Sequence, residues 1–115
     1  MYRLPRSVPK AVALEMILTG SLLSAERAFH FGLVNRIVSQ RELVPAAVAL
    51  ASEVCAGSPI AVRESLGVAR RAFDLNEIEL KDASGAASTR NSLAEDFKEG
   101  PRAFIEKRPP RWSGR

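Results

Sequence analysis

Helix starts and helix stops punctuate this chain at short intervals, and that punctuation leaves little room for anything but a succession of helices. Ser24, Ser39, Ser58 and Asn76 each stand just before an apolar or mixed run. A short polar side chain there can accept from a free backbone N–H of the first turn. Ser39-Gln40-Arg41-Glu42, and Asn76 with Glu79 three residues on, have the reciprocal capping-box spacing. Pro9 and Pro59 suit a first turn, where no N–H donor is needed. Gly20, Gly32 and Gly57 supply the stops, since helices commonly end on a residue that tolerates positive φ.

Between these marks the apolar spacing is helical. Ala11 to Leu18 is apolar nearly all round, broken only by Glu15, and a helix of that kind wants neighbours on several sides. Ser24 opens a short helix through Phe31, and Val34 to Val38 reads as a brief strand or extended link. Leu43, Ala46, Ala47, Leu50, Ala51 and Val54 follow the i, i+3, i+4, i+7 rule, although Pro45 can delay the regular helix by a turn. Val62, Leu66, Ala69 and Phe73 make one stripe, opposite Arg63, Glu64, Arg70 and Arg71. A long helix from Glu77 to about Glu95 offers mainly alanines, Ala83, Ala86, Ala87 and Ala94. Gly85 in its middle costs about 1 kcal/mol relative to alanine, so a partner pressed close to the small side chains is expected. Gly100-Pro101 allows a break before a last helical stretch from Arg102 to Lys107, and Pro109-Pro110 starts an extended tail. There is no internal repeat and no low-complexity segment.

Length and composition set the outer limits. At 115 residues the chain, 1–115, is expected to be a single domain at most. Its 46% apolar and 26% charged content is that of a soluble, globular protein. One cysteine, Cys55, rules out an internal disulfide and a multi-cysteine zinc site, and fits a reducing, cytoplasmic setting. No apolar run approaches the ~20 residues that span a bilayer, so no membrane partner is expected. Arg3, Arg6 and Lys10 precede Ala11-Val12-Ala13-Leu14 as in a targeting peptide, but Glu15 interrupts the stretch and favours a core helix.

Charge is uneven. Residues 98–115, KEGPRAFIEKRPPRWSGR, hold six basic and two acidic side chains, whereas residues 1–97 carry eleven of each sign. An excess built around Arg102, Lys107, Arg108 and Arg111, with Phe104 and Trp112 between, can attract a polyanion.

Candidate chemistry elsewhere is sparse, and no catalytic or metal-binding residue is assigned. The single histidine, His30, sits at a helix end among Ala28, Phe29 and Phe31 and reads as a C-terminal residue near the last carbonyls. Cys55 falls near a helix C-terminus, where the dipole disfavours a thiolate, and reads as packing. Converging metal ligands and a glycine-rich phosphate loop are both missing. Seven helical residues would put Glu99 and Glu106 about 10 Å apart on one face, but Arg102 precedes Glu106 by four, the spacing of an ordinary ion pair. Arg111 and Trp112, beyond two prolines, are expected to pack loosely.

Asp96, Glu99, Gly100, Ala103, Phe104, Glu106, Lys107 and Arg108 form D-x-x-E-G-x-x-A-F-x-E-K-R, which resembles the C-terminal signature of the enoyl-CoA hydratase/isomerase, or crotonase, family. Thr19-Gly20, Ser24-Ala25-Glu26-x-Ala28 and Gly32-Leu33-Val34-Asn35-Arg36 resemble further family segments, in order and at about the usual spacing. Leu4-Pro5-Arg6 and Ser58-Pro59-x-Ala61-Val62 are weaker matches. Two departures stand out: Arg63-Glu64-Ser65-Leu66-Gly67 where the family often has a lysine, and Ala94 where it often has a serine before E-D-F.

The resemblance implies a mainly α chain, the C-terminal helical, trimerising part of a crotonase-like α/β spiral fold, with the N-terminal spiral core absent. It implies an acyl-CoA thioester as substrate, no covalently bound cofactor, and hydration or isomerisation of an enoyl-CoA as the parent reaction. Its partners would be further copies, as trimer or hexamer, or a missing N-terminal half that supplies the oxyanion hole and the glutamates that manage water. Alone the chain would be inactive. In that family the helix carrying A-F-x-E-K-R helps hold coenzyme A, often that bound mainly by an adjacent subunit. Carried onto this chain, this implicates Phe104 and Lys107 as ligand-binding residues. An aromatic edge can pack on adenine while an ammonium meets a phosphate. The alternative is a small basic helical protein that grips nucleic acid or an acidic partner through residues 98–115; the neutral body and the lack of a nucleic-acid motif weigh against it.

Overall fold

In the computed structural model, which describes residues 2–115, seven helices follow one another and no strand occurs among the described residues. Of the expected strand or link at Val34 to Val38 the link is what is found: with no strand beside it among the described residues, the segment has no source of ladder hydrogen bonds. The chain forms two units, 1–46 and 47–115, divided within the first turn of one helix.

The first unit contains α1 (Leu4–Ser7), α2 (Lys10–Thr19) and α3 (Ala25–His30). Helix α1 was not expected: it is a single turn with Pro5 as its second residue, and it packs on α2. Gly20 ends α2 in the left-handed conformation, φ 67°, and its N–H closes the last turn onto the Met16 carbonyl. Ser24 caps α3 by accepting from the Arg27 N–H. Val8, Ala13 and Ala28 are the buried apolar residues here, so α2 encloses only one small side chain and leaves Leu14 and Leu18 exposed.

The second unit runs from the body of α4 (Leu43–Cys55) through α5 (Pro59–Ala69), α6 (Glu77–Leu93) and α7 (Asp96–Ile105) to the tail. Ser58 and Pro59 open α5 as cap and first residue. Asn76 and Glu79 complete their reciprocal box at the start of α6, at 3.0 and 2.9 Å. Helices α5 and α6 pack along one another at small side chains, where Ala87 is buried, and Arg90 straps them by donating Nε and Nη2 to one Glu64 oxygen. Gly85 is not at that seam: a Cβ there would meet nothing within 4 Å. Helix α6 also stops at Leu93, since Ala94 turns extended.

The expected break at Gly100-Pro101 does not occur, and α7 runs through both residues. Proline's fixed φ is helical; Pro101 forfeits one N–H rung in a short helix that side chains hold from outside. The buried apolar residues of this unit are Ala87 and Ala103. Large apolar side chains stay outside, with Leu93 at 81% and Phe104 at 85% exposure.

Candidate functional site

The candidate site lies at the C-terminal end of α7. Glu106 caps the helix; Lys107 then adopts φ 53° and is the one non-glycine residue with positive φ among the described residues. The Lys107 N–H returns to the Phe104 carbonyl and the Arg108 N–H to the Ala103 carbonyl, at 3.2 and 3.0 Å. This pair of bonds is the Schellman ending, which ordinarily recruits glycine at the position Lys107 holds. A left-handed non-glycine residue costs roughly 1–2 kcal/mol, so the surroundings must hold the turn.

They do so through charge. Arg108 forks onto Glu99 at 2.6 and 3.1 Å and also donates Nε to Glu106 at 2.6 Å. Glu106 accepts from Arg102 as well, at 2.8 Å, the i,i+4 pair expected from the spacing. Glu99 further accepts from the Arg111 N–H at 2.6 Å. The guanidinium of Arg108 and the Arg111 N–H hold the Glu99 carboxyl down at about 2, well below its ordinary value. Glu99 raises the Arg108 guanidinium in turn, and Arg102 with Arg108 lowers Glu106. Neither glutamate is a candidate acid or base, because both are committed as anions to arginine.

The tail is pinned as well. Asp96, 3% exposed, accepts from the backbone N–H groups of Ser113 and Gly114 and from the Ser113 hydroxyl, at 2.7 to 2.9 Å. Burial pushes its carboxyl up, but these donors outweigh it and hold the group below its ordinary value. The Glu95 and Asp96 N–H groups donate to the Arg115 carbonyl. Trp112 donates its indole N–H to the Ala56 carbonyl at 2.9 Å, and its ring lies against Gly100. The expectation of a loose tail at Arg111 and Trp112 is therefore corrected. Contacts at separations of 12 to 56 residues fix it, and local spacing carries no trace of them.

Of the two residues proposed for ligand binding, Phe104 is on the last turn of α7, exposed, and Lys107 is exposed beyond the helix end. They do not occupy neighbouring helical positions as expected, because the left-handed turn intervenes. Glu99, Arg108 and Asp96 were not singled out as organisers; carboxylates at 96 and 99 facing a basic segment nine to eighteen residues on were the available signal.

Elsewhere, His30 is the last residue of α3 and meets Phe31 edge-on at 5.2 Å. Cys55 is exposed at the end of α4, where packing was expected. A cleft of about 440 Å³ between α5 and α6 is lined by Ala61, Glu64, Ser65, Ala87, Ser88 and Asn91. Among the described residues there is no cluster of three metal-ligating side chains, and no single helix is long and apolar enough to cross a membrane.

Comparison with known proteins places this arrangement. The family model described as enoyl-CoA hydratase/isomerase matches residues 1–115. A carnitinyl-CoA dehydratase of Salmonella paratyphi A is 39% identical over 119 residues, covering 100% of this chain and 46% of that protein. An enoyl-CoA hydratase structure from Mycobacterium tuberculosis H37Rv superposes with a TM-score of 0.94 at 35% identity, over 99% of this chain and 45% of its own. One from Bacillus anthracis gives 0.93 at 31% identity, over 98% and 44%. The chain thus spans about half the length of the relatives it matches.

The matched share is assigned to the N-terminal part of those proteins, and on that assignment the expectation of a C-terminal helical part lacking its N-terminal spiral is withdrawn. That expectation rested on the resemblance of short motifs, and a short motif does not by itself mark which end of a longer fold a segment comes from. With a family model matched over its whole length and relatives well above 30% identity, the chain belongs to the enoyl-CoA hydratase/isomerase family.

Proposed function

We propose that this chain serves an enzyme that hydrates or isomerises an enoyl-CoA thioester, contributing part of the coenzyme A site and of the subunit contacts rather than the reacting groups. The observation that carries this reading is the end of α7. Phe104 stands exposed beside a turn where Arg102 and Arg108 are matched by Glu106 and Glu99, while Lys107 has no carboxylate partner among the described residues. An exposed aromatic edge and an unmatched ammonium suit a heteroaromatic base and its phosphates. The relatives' names agree in a CoA thioester and differ in the acyl group. The thioester is substrate, no covalent cofactor is invoked, and the single cysteine fits a cytoplasmic setting.

Contacts with further copies, as trimer or hexamer, are supported by burial. Among the described residues no large side chain is fully buried, and Leu18, Leu22, Leu93, Phe104 and Ile105 are all open. The same ion pairs weaken the polyanion reading, because two cations of the basic tail are already neutralised.

Titration calorimetry with coenzyme A tests the ligand site: binding to the chain should weaken on Phe104→Ala and on Lys107→Ala. Crotonyl-CoA hydration by the purified chain should be absent. Turnover that is lost on mutation within this chain would overturn the division of labour.

A further inference from the structure

We propose that Glu99 is a positioning residue for the ligand: through Arg108 it locks the left-handed turn that sets how Lys107 leaves the end of α7. This rests on the reading of Lys107 as a phosphate contact. The argument begins with a conformational mismatch. The turn wants glycine, yet carries a lysine that has no carboxylate partner among the described residues. In a Schellman ending, an apolar contact between the residue after the turn and the helix frequently secures the geometry. Here that residue is Arg108, and its contact is a bidentate ion pair to Glu99 in the first turn of α7. The planar fork fixes orientation as well as distance. Glu106 holds the same guanidinium from the cap, so Lys107 is flanked by two residues of one network. Glu99 also takes the Arg111 N–H, which anchors the chain beyond Pro109-Pro110. Lys107 is thus clamped from both sides without being touched by the clamp.

The test uses the 115-residue chain, isotopically labelled, with Glu99→Gln and, in case that variant folds poorly, Arg108→Lys, which keeps the charge and loses the fork. Two readouts are taken. The intraresidue HN–Hα NOE of Lys107, strong at positive φ, should weaken in both variants while far-UV circular dichroism is retained. Affinity for coenzyme A should fall about tenfold in each, and Glu99→Gln should add little once Lys107 is already alanine, whereas it should add fully to Phe104→Ala. An unchanged NOE, or equal losses with and without the lysine, would overturn the positioning role. Failure of the unmutated chain to bind coenzyme A would instead overturn the ligand reading beneath it.

Discussion

Trp112 reaches back 56 residues to donate its indole N–H to the Ala56 carbonyl just past α4. The contact joins the tail to the α4–α5 connection, and the ring covers the open flank of Gly100. Trp112→Phe keeps most of the apolar surface and removes the donor. It should lower unfolding free energy by about 1 kcal/mol, the net worth of an ordinary hydrogen bond, read as a lower urea midpoint.

The start of α6 rests on its box. Asn76→Ala leaves the Glu79 N–H without its acceptor, and should cost about 1 kcal/mol with a loss of helical signal. Ser58→Ala at α5 should cost less, because the Ser58 hydroxyl accepts at a longer 3.4 Å.

Gly85 lies mid-helix with ordinary helical geometry and open space where a Cβ would go. Gly85→Ala should therefore stabilise the chain by up to about 1 kcal/mol, seen as a raised Tm. A loss of stability would show that another surface approaches that flank.

Acid should loosen the end of α7 in a defined window. The Glu99 carboxyl titrates at about 2 in the folded chain against an ordinary 4.5, so the unfolded chain binds more protons between those values. Its contribution is fully present above about pH 4.5 and is lost as pH falls toward 2. Urea midpoints across that range should fall more steeply for the unmutated chain than for Glu99→Gln. Parallel slopes would show that the ion pair adds nothing.

Much of the helical order was legible because it is local. Ser24, Ser58 and Asn76 cap as their spacing says, and Gly20 stops α2 by the conformation only glycine takes cheaply. Boundaries went astray where two local rules compete. Pro101 reads as a breaker, yet its φ is already helical and its neighbours hold the helix. Of the candidate site, motif resemblance pointed to Phe104 and Lys107, and both lie exposed at the end of α7. The clamp around them was not legible, since Glu99 meets Arg108 and Arg111 only after the chain has turned left-handed at a lysine. The apolar stripe of α4 was readable as a face, but Leu43, Val44 and Val48 stay exposed, and periodicity does not say what a face meets.

At position 107 endurance and use ask for different residues. Glycine would relax the turn and tolerate heat better; lysine, under the proposed function, supplies the grip. A library varied at that single codon, sorted once by thermal survival and once by ligand capture, should return opposite rankings, and the gap between them measures what the protein forgoes to keep its cation there.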